Sequence, residues 1–443
     1  MSGPRICLLG QTLVDVTLSP TSPTKMRLGG IAHAARALWA LDAMYTAGFV
    51  CPAYLSGQSG DFLAAHGALE SVCIGVVDGA PNIMLVTHAE EAGPQGYELL
   101  LRDNHVVSLE VEALDRVLDD PDLTAVLAFP DAGYFEALAP RLPIDHPRLY
   151  LDGDLDPARL GEWGLGGCVD TVILSTSSRT FMSTYGATVE RLRYAAVPGA
   201  ANALLFKENR GGSRLFTAEG CVATVPAHVR PVVHSVGVGD CFDAAFCVLR
   251  HTQDDRTALA YASAIAADYA STTYPETFKA AVAATLAVPP SEIVELAGVV
   301  AAWERRREHP IYVAAPDFDW VDRRPVDQLA EALSYHGFVA RLPVRENGQL
   351  GVDATSADRQ RVAEADLRVL SECSLLVAVL LFDDPGTLVE VGLALERGLP
   401  VIVYDPYRRA ANPMLTQLPT RVATTLDETI AAVFEVVGRL LHP

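Results

Sequence analysis

Short apolar runs alternate with alanine-rich stretches over residues 1–287, and polar loops separate them. The runs have the length of buried strands, and the alanine-rich stretches have helical periodicity. The predicted elements are strands at 6–9, 126–129, 148–151 and 172–174 and helices at 31–41, 241–250 and 257–272. This alternation is typical of an α/β fold in which helices cover both faces of a mostly parallel sheet.

Pro289-Pro290 interrupts the pattern, and the next stretch predicts one connecting helix. Ser291 is a favourable N-cap for a helix over 292–307. Its final residues, Arg305-Arg306-Arg307, lie where a helix dipole favours cations, and we interpret them as a solvated charged end.

A second α/β pattern begins at Ile311. It predicts strands at 311–315, 374–381 and 401–404 and helices at about 325–336, 358–370, 387–397 and 426–441. This order is typical of a smaller doubly wound domain, Rossmann-like or flavodoxin-like. The predicted organisation is a first domain at 1–287, a connecting helix at 288–308 and a second domain at 309–443.

The charge balance and the cysteine pattern limit the kinds of molecule that the protein is expected to bind. Lys and Arg number 34 and Asp and Glu number 55, so the formal net charge is −21. That balance argues against non-specific nucleic-acid binding and against an anionic membrane surface, but not against small anionic substrates. The 8 cysteines form no Cys-x-x-Cys pair, so we expect reduced thiols, a cytoplasmic protein and no dedicated zinc site.

The first candidate site is the segment Gly237-Val238-Gly239-Asp240, which precedes an alanine-rich helix. Glycines before a helix let backbone amides approach an anion, and the helix dipole favours negative charge there. A carboxylate at this position suits a general base that deprotonates a hydroxyl attacking a phosphate. On its own, the segment is explained equally well by a turn with a capping aspartate.

Further landmarks are Gly10 and Asp15 after the first strand, Gly29-Gly30 before a helix, Gly57-x-x-Gly60-Asp61, and the segment 209–212. With these landmarks in matching order, residues 1–285 resemble the ribokinase-like (PfkB) carbohydrate and nucleoside kinase family. The resemblance implies that Asp240 is the catalytic base and that ATP and Mg²⁺ are used. It also implies an ATP-binding set and a substrate-binding set, which are Gly237, Val238, Gly239 and Gly212 and then Asp15, Gly29 and Gly30.

The sequence departs from that family at several positions. His234-Ser235 replaces the usual Asp-Thr, Ala34 replaces an Asn, and Lys207 and Asn209 replace a Thr and a Gly. The family's metal-organising Asn-x-x-Glu element does not occur. Two interpretations are therefore open: a working kinase, or a domain that binds a nucleoside or sugar without phosphorylating it.

The second candidate site follows the strand at 374–381, where ligands of open α/β sheets bind. We place Glu390 in the first turn of the next helix, where the dipole favours its ionised form. Such a carboxylate suits nucleophilic attack on a sugar C1′, and Asp366 could protonate the departing base. The alternative is that Asp384 and Thr387 are loop and cap residues and that Glu390 lies on a solvated face.

Residues 308–443 look like the nucleoside 2-deoxyribosyltransferase family. The motif residues are Tyr312, Phe318, Asp366, Asp384, Gly386, Glu390, Asn412 and Met414. The resemblance implies that Glu390 is the nucleophile, that Tyr312 positions it and that Asp366 is the acid. It places Asp384 and Asn412 at the 5′ side of the sugar and Met414 in the site, without a cofactor.

The resemblance also implies a homo-oligomer, because the family's Asn-x-Met residues commonly complete a neighbouring subunit's site. We therefore expect a bifunctional enzyme that cleaves an N-glycosidic bond and phosphorylates the sugar or nucleoside with ATP. The alternative is an N-glycosidase regulated by a kinase-like ligand-binding domain. Transfer or hydrolysis, the base and the sugar stay open.

Overall fold

The chain forms two compact units. The computed structural model describes residues 3–18, 24–78, 83–86, 91–94, 97–100, 106–131, 133–144, 146–272, 274–351 and 353–442. The N-terminal unit comprises residues 1–90 and 95–298, and the C-terminal unit comprises 91–94 and 299–443. Strands alternate with helices in both, which confirms the α/β class. Among the described residues, no helix has the length and apolar character needed to cross a membrane.

The N-terminal unit is built on one large sheet. Its strands are β1 (Arg5–Thr17), β2 (Lys25–Gly30), β3 (Met44–Cys51), β4 (Ala68–Asp78), β5 (Ile83–Val86), β6 (Tyr97–Leu100), β7 (Val106–Leu109), β8 (Ala125–Phe129), β9 (Arg148–Asp152), β10 (Val169–Ser175), β11 (Ala201–Lys207), β12 (Ser213–Thr217) and β13 (Gly220–Val225). Its α-helices are α1 (Ile31–Ala40), α2 (Ser56–Ala65), α3 (Val111–Leu118), α4 (Phe135–Leu138), α5 (Val189–Ala196), α6 (Val238–Leu249), α7 (Asp255–Ala270), α8 (Pro275–Leu286) and α9 (Pro290–Ile293). The main strand order is β13-β12-β11-β10-β9-β8-β1-β3-β4-β7.

Strand β1 is much longer than its apolar run predicts. Its first part pairs in parallel with β3 and β8 in the main sheet. Its second part, from Thr12 to Thr17, pairs antiparallel with β2, and the end of this part also pairs with β5. The polar residues in the second part leave no apolar run, so the sequence does not predict this extension of the sheet through β2 and β5.

The C-terminal unit has a parallel five-stranded sheet within the described residues. Its strands are β14 (Ile311–Ala314), β15 (Ala340–Arg341), β16 (Leu375–Val379), β17 (Val401–Tyr404) and β18 (Arg421–Ala423). Its α-helices are α10 (Arg324–Tyr335), α11 (Pro343–Asn347), α12 (Ser356–Ser371), α13 (Pro385–Glu396), α14 (Pro413–Gln417) and α15 (Leu426–Leu441). The order β15-β14-β16-β17-β18 is flavodoxin-like, with its topological switch point between β14 and β16.

The predicted connecting helix is wrong. Helix α9 ends at Ile293, Pro289 rather than Ser291 stands at its N-cap, and a separate 3₁₀ helix covers Trp303–Glu308. In the segment that leads from α9 into the 3₁₀ helix, every second residue is buried. Val299, Ala301 and Trp303 are buried, and the two residues that separate them are less buried. A period of two belongs to extended backbone, so hydrophobic burial selects an extended segment over a helix.

Arg306 corrects the prediction of a solvated arginine end. Its side chain is 0% exposed. Its Nε donates to Ala301 O at 2.9 Å and its Nη1 to His336 O at 2.8 Å. The guanidinium also lies over the rings of Trp303, Phe338 and Phe434, with centroid distances of 5.2, 5.9 and 4.9 Å. It thus ties this 3₁₀ helix to the core of the C-terminal unit.

We expect Arg306→Ala to lower the free energy of unfolding of the C-terminal unit by about 3 kcal/mol, because buried carbonyls lose charged donors. The matched control is Arg305→Ala, whose side chain is 45% exposed and should matter by about 0.5 kcal/mol or less. Urea unfolding followed by circular dichroism and amide hydrogen exchange measures both variants. Equal stability of the two would contradict the packing role of Arg306.

Candidate functional site

The C-terminal site lies at the switch point of the parallel sheet. Tyr312 stands on β14 and is 0% exposed, while Glu390 stands on α13, the helix that follows β16. The Tyr312 hydroxyl donates to Glu390 Oε1 at 2.7 Å. The structure therefore brings together the two residues that the sequence assigned as positioning residue and nucleophile.

Glu390 differs from its prediction in both place and ionisation. It lies in the second turn of α13, because the helix begins at Pro385 and carries no acidic residue in its first turn. Burial raises the pKa of Glu390 to about 7, the Tyr312 bond opposes the rise, and the charges of Asp366 and Asp384 add to it. The expected dipole stabilisation of the ionised form is therefore wrong, and burial with two like charges dominates.

Asp366 stands on α12, and Asn347 at the end of α11 supports it. Asn347 Nδ2 donates to Asp366 Oδ1 at 2.7 Å. Burial raises the pKa of Asp366, and the Asn347 bond opposes that rise. A raised pKa suits a carboxyl group that must give up a proton during the reaction. Asn347 was not predicted, since a single amide in a short helix forms no recognisable sequence pattern.

Asp384 caps α13. Its Oδ2 accepts from the Thr387 backbone N at 2.7 Å and from the Thr387 hydroxyl at 2.9 Å. A Cβ on Gly386 would lie 3.1 Å from the same oxygen, so glycine there leaves the cap room. The alternative of a loop and cap is thus correct for this pair, whereas the companion idea of a solvated Glu390 is wrong because that residue is half-buried.

Asn412 and Met414 lie in the segment after β17. Asn412 is the N-cap of α14, and its Oδ1 accepts from the Met414 backbone N at 2.9 Å. Met414 is 62% exposed. The loop before them is held by buried Asp405, whose carboxylate accepts from the backbone N of Arg409 at 2.8 Å and of Ala410 at 2.7 Å. Asp405 was not predicted.

Phe318 lies in the loop after β14 and stacks on Trp320, with ring centroids 4.9 Å apart and planes at 13°. Trp320 is 70% exposed, so the pair presents an aromatic surface to solvent. The loop is anchored by Asp317, which is 4% exposed and accepts from Arg345 Nη2 at 3.0 Å. Trp320 and the Asp317–Arg345 pair were both missed by the sequence analysis.

Several apolar side chains around these elements face solvent: Leu367, Phe382, Leu388, Val389, Tyr407, Met414 and Leu418. The homo-oligomer that the resemblance implies stays a prediction.

In the N-terminal unit, Asp240 lies in the first turn of α6. Gly237 precedes the helix at φ 76, a left-handed conformation that favours glycine, and Val238 and Gly239 open the helix. Burial raises the pKa of Asp240 to about 7, the charges of Asp152 and Asp15 add to the rise, and Lys207 opposes it.

The predicted substrate residues Asp15, Gly29 and Gly30 lie beside β1 and β2. Asp15 is 3% exposed, and its Oδ2 accepts from His33 Nε2 at 2.8 Å. Burial lowers the pKa of His33 to about 4 despite Asp15, so the imidazole is neutral at pH 7 and Nδ1 accepts from Tyr269 Oη at 2.6 Å. A Cβ on Gly29 would lie 2.2 Å from Asp15 Oδ2, so glycine makes room for this buried pair.

Gly212 lies between β11 and β12 at φ 95. A Cβ there would meet Val225 O at 2.3 Å, so chain packing by itself requires glycine. An ATP-binding role for Gly212 stays a prediction.

The Mg²⁺ that the kinase resemblance implies does not fit the carboxylates beside α6. Asp152, Asp240 and Asp243 bring one oxygen each within 4.8 Å of one another. The Lys207 ammonium already bonds two of them, Asp152 Oδ2 at 2.8 Å and Asp243 Oδ2 at 2.7 Å. Burial opposes the charge on Lys207, but the two carboxylates outweigh it and raise the pKa of the lysine.

The nucleoside 2-deoxyribosyltransferase family model matches residues 311–428. A search of the curated proteins gives no match.

Among solved structures, Burkholderia thailandensis nucleoside kinase in complex with inosine is similar at 17% identity and a TM-score of 0.43, over 62% of this chain and 96% of that one. Xylella fastidiosa fructokinase with bound ATP is similar at 16% identity and 0.45, over 64% and 98%. Arabidopsis thaliana ribokinase complexed with ribose and ATP is similar at 14% identity and 0.44, over 65% and 100%.

We expect Tyr312→Phe to raise the pKa of Glu390 from about 7 by roughly one unit, because the substitution removes the hydroxyl that stabilises the charged carboxylate. Carbon-13 NMR titration of the glutamate carboxyls measures the shift, with Glu390→Gln assigning the signal. Tyr335→Phe is the matched control, because the Tyr335 hydroxyl bonds Glu91 instead. An unchanged titration in Tyr312→Phe would contradict the described bond.

Proposed function

We propose that the C-terminal unit cleaves the N-glycosidic bond of a nucleoside or nucleotide, with Glu390 as nucleophile. The observation that carries this proposal is the 2.7 Å bond from the Tyr312 hydroxyl to Glu390 Oε1. That bond holds a half-buried carboxylate at the switch point, where ligands of open α/β sheets bind. The family match over 311–428 supports the same reaction class.

In the first step, a carboxylate oxygen of Glu390 attacks C1′ of the sugar. The C1′–N bond breaks, its electron pair leaves with the base, and Asp366 gives its proton to a base nitrogen. In the second step, water or another base attacks C1′ and frees Glu390. The proton lost by that nucleophile returns to Asp366. Water gives hydrolysis and a second base gives sugar transfer.

We assign the remaining motif residues to the walls of this proposed site. Within the described residues, both cap bonds of Asp384 use its Oδ2, which leaves Oδ1 for a hydroxyl of the sugar. Asn412 is assigned with Asp384 to the 5′ side of the sugar, and Met414 is assigned to pack in the site. Phe318 is assigned to the base, because an aromatic face stacks well on a planar ring.

For the N-terminal unit we propose nucleoside or sugar binding without phosphoryl transfer. The observation against phosphoryl transfer is that Lys207 stands among the carboxylates that a metal would need. The second candidate is a bifunctional enzyme, in which this unit uses ATP to phosphorylate the sugar or nucleoside. Asp240 at the start of α6 favours it, and one unit's product would then be the other's substrate.

We expect Glu390→Gln to lower the rate of base release by about 10³-fold or more, because the nucleophile is lost. Chromatography of a panel of nucleosides and nucleoside monophosphates, with and without an acceptor base, measures the rate. Glu396→Gln on the exposed side of the same helix is the matched control and should keep wild-type rates. Base release that survives Glu390→Gln would remove the glycosidase assignment.

The same panel with Mg-ATP separates the two candidates for the N-terminal unit. We expect no ADP above background from any sugar or nucleoside. ADP formation that falls about a hundredfold in Asp240→Asn would instead establish the bifunctional enzyme. Asp122→Asn, with a side chain 78% exposed, is the control for that variant.

A further inference from the structure

The carboxylate cluster beside α6 consists of Asp152, Asp240 and Asp243. Asp152 ends β9, while Asp240 and Asp243 lie one turn apart on the same face of α6. One oxygen of each lies within 4.8 Å of the others. Asp243 is 0% exposed, and its Oδ1 is buried without a hydrogen-bond partner in the described part of the chain. The cluster therefore has the donor set of a cation site.

A cation of the protein itself occupies that place. Lys207 ends β11, and its Nζ donates to Asp152 at 2.8 Å and to Asp243 at 2.7 Å. The side chain is only 13% exposed. A Cβ on Gly239 would lie 3.2 Å from the same nitrogen, so the ammonium sits directly against the first turn of α6.

We propose that Lys207 is the resident cation of the Asp152–Asp240–Asp243 cluster and takes the place of a divalent metal there. The N-terminal unit then binds its ligand without Mg²⁺ at this position. This inference deepens the ligand binding proposed for the N-terminal unit, on which it rests, and it does not depend on Glu390, which lies in the other unit.

The charges explain why lysine and metal exclude one another. Mg²⁺ demands a near-octahedral set of oxygens at about 2.0–2.1 Å. Two of the three carboxylates here already point an oxygen at the ammonium. A divalent ion in the same cluster would also stand within a few ångström of a positive charge in a site with little water to screen it. Removal of the ammonium leaves three carboxylates with no cation, which is the composition of a metal site.

The test is Mn²⁺ binding to the full chain, measured by electron paramagnetic resonance of free and bound manganese. We expect wild type and Lys207→Arg to show no Mn²⁺ bound at the cluster, since both keep a cation there. Lys207→Met should bind Mn²⁺ at least about tenfold more tightly. The double variant Lys207→Met with Asp243→Asn should lose that binding. Lys279→Met, which removes a surface lysine paired with Asp42, controls for general loss of positive charge.

Wild-type Mn²⁺ binding that Asp243→Asn abolishes would overturn the proposal, because the cluster would then hold metal beside Lys207. A folded Lys207→Met, checked by circular dichroism, that gains no Mn²⁺ would overturn it as well. Should Lys207→Met not fold, the wild-type measurement still decides, since it needs no substitution. The rate of base release in Glu390→Gln tests only the C-terminal unit, so its outcome is independent of the Mn²⁺ measurement.

Discussion

The hydrogen bond from Tyr312 to Glu390 is the interaction on which the account of the C-terminal unit depends. It joins a strand on one side of the switch point to the helix that follows the strand on the other side. Parallel strand order is what brings these two elements to the same edge. Burial and the neighbouring carboxylates favour the neutral form of Glu390, whereas the tyrosine hydroxyl favours its charged form. A nucleophile whose pKa is about 7 is ionised in a large fraction of molecules at neutral pH, yet it is not stabilised so strongly that attack becomes unfavourable.

Each unit places carboxylates near the carboxyl ends of its strands, but the groups that bond to these carboxylates differ. In the C-terminal unit a neutral hydroxyl supports Glu390, so the carboxylate keeps an oxygen for chemistry. In the N-terminal unit an ammonium bonds directly to Asp152 and Asp243, so those oxygens are committed. The first arrangement suits covalent catalysis. The second suits a fixed electrostatic structure, which is why we assign ligand binding rather than phosphoryl transfer to the N-terminal unit.

The sequence predicted what periodicity and motif order encode. The final helix, α15, has the predicted bounds, and the strand–helix order of both units follows the alternation of apolar runs. It could not predict contacts between residues far apart in sequence. The sequence around Lys207 gives no sign that the fold brings Asp152 and Asp243 against this lysine at the end of a strand. In the same way, nothing near Asn347 indicates its bond to Asp366. Arg306 belonged to a charged run whose neighbours are exposed, so burial of one member left no local signal. The ionisation of Glu390 was misjudged because burial outweighs a helix dipole that acts only over the first turn.

The covalent glycosyl intermediate on Glu390 is the central claim, and mass spectrometry of the protein tests it directly. Wild-type protein is mixed with a nucleoside that it cleaves, quenched in acid within a turnover and digested. The account predicts one peptide carrying the mass of the sugar less water on Glu390, and no such peptide in Glu390→Gln. A sugar adduct on another residue, or base release from wild type with the Glu390 peptide unmodified at every quench time, would contradict it.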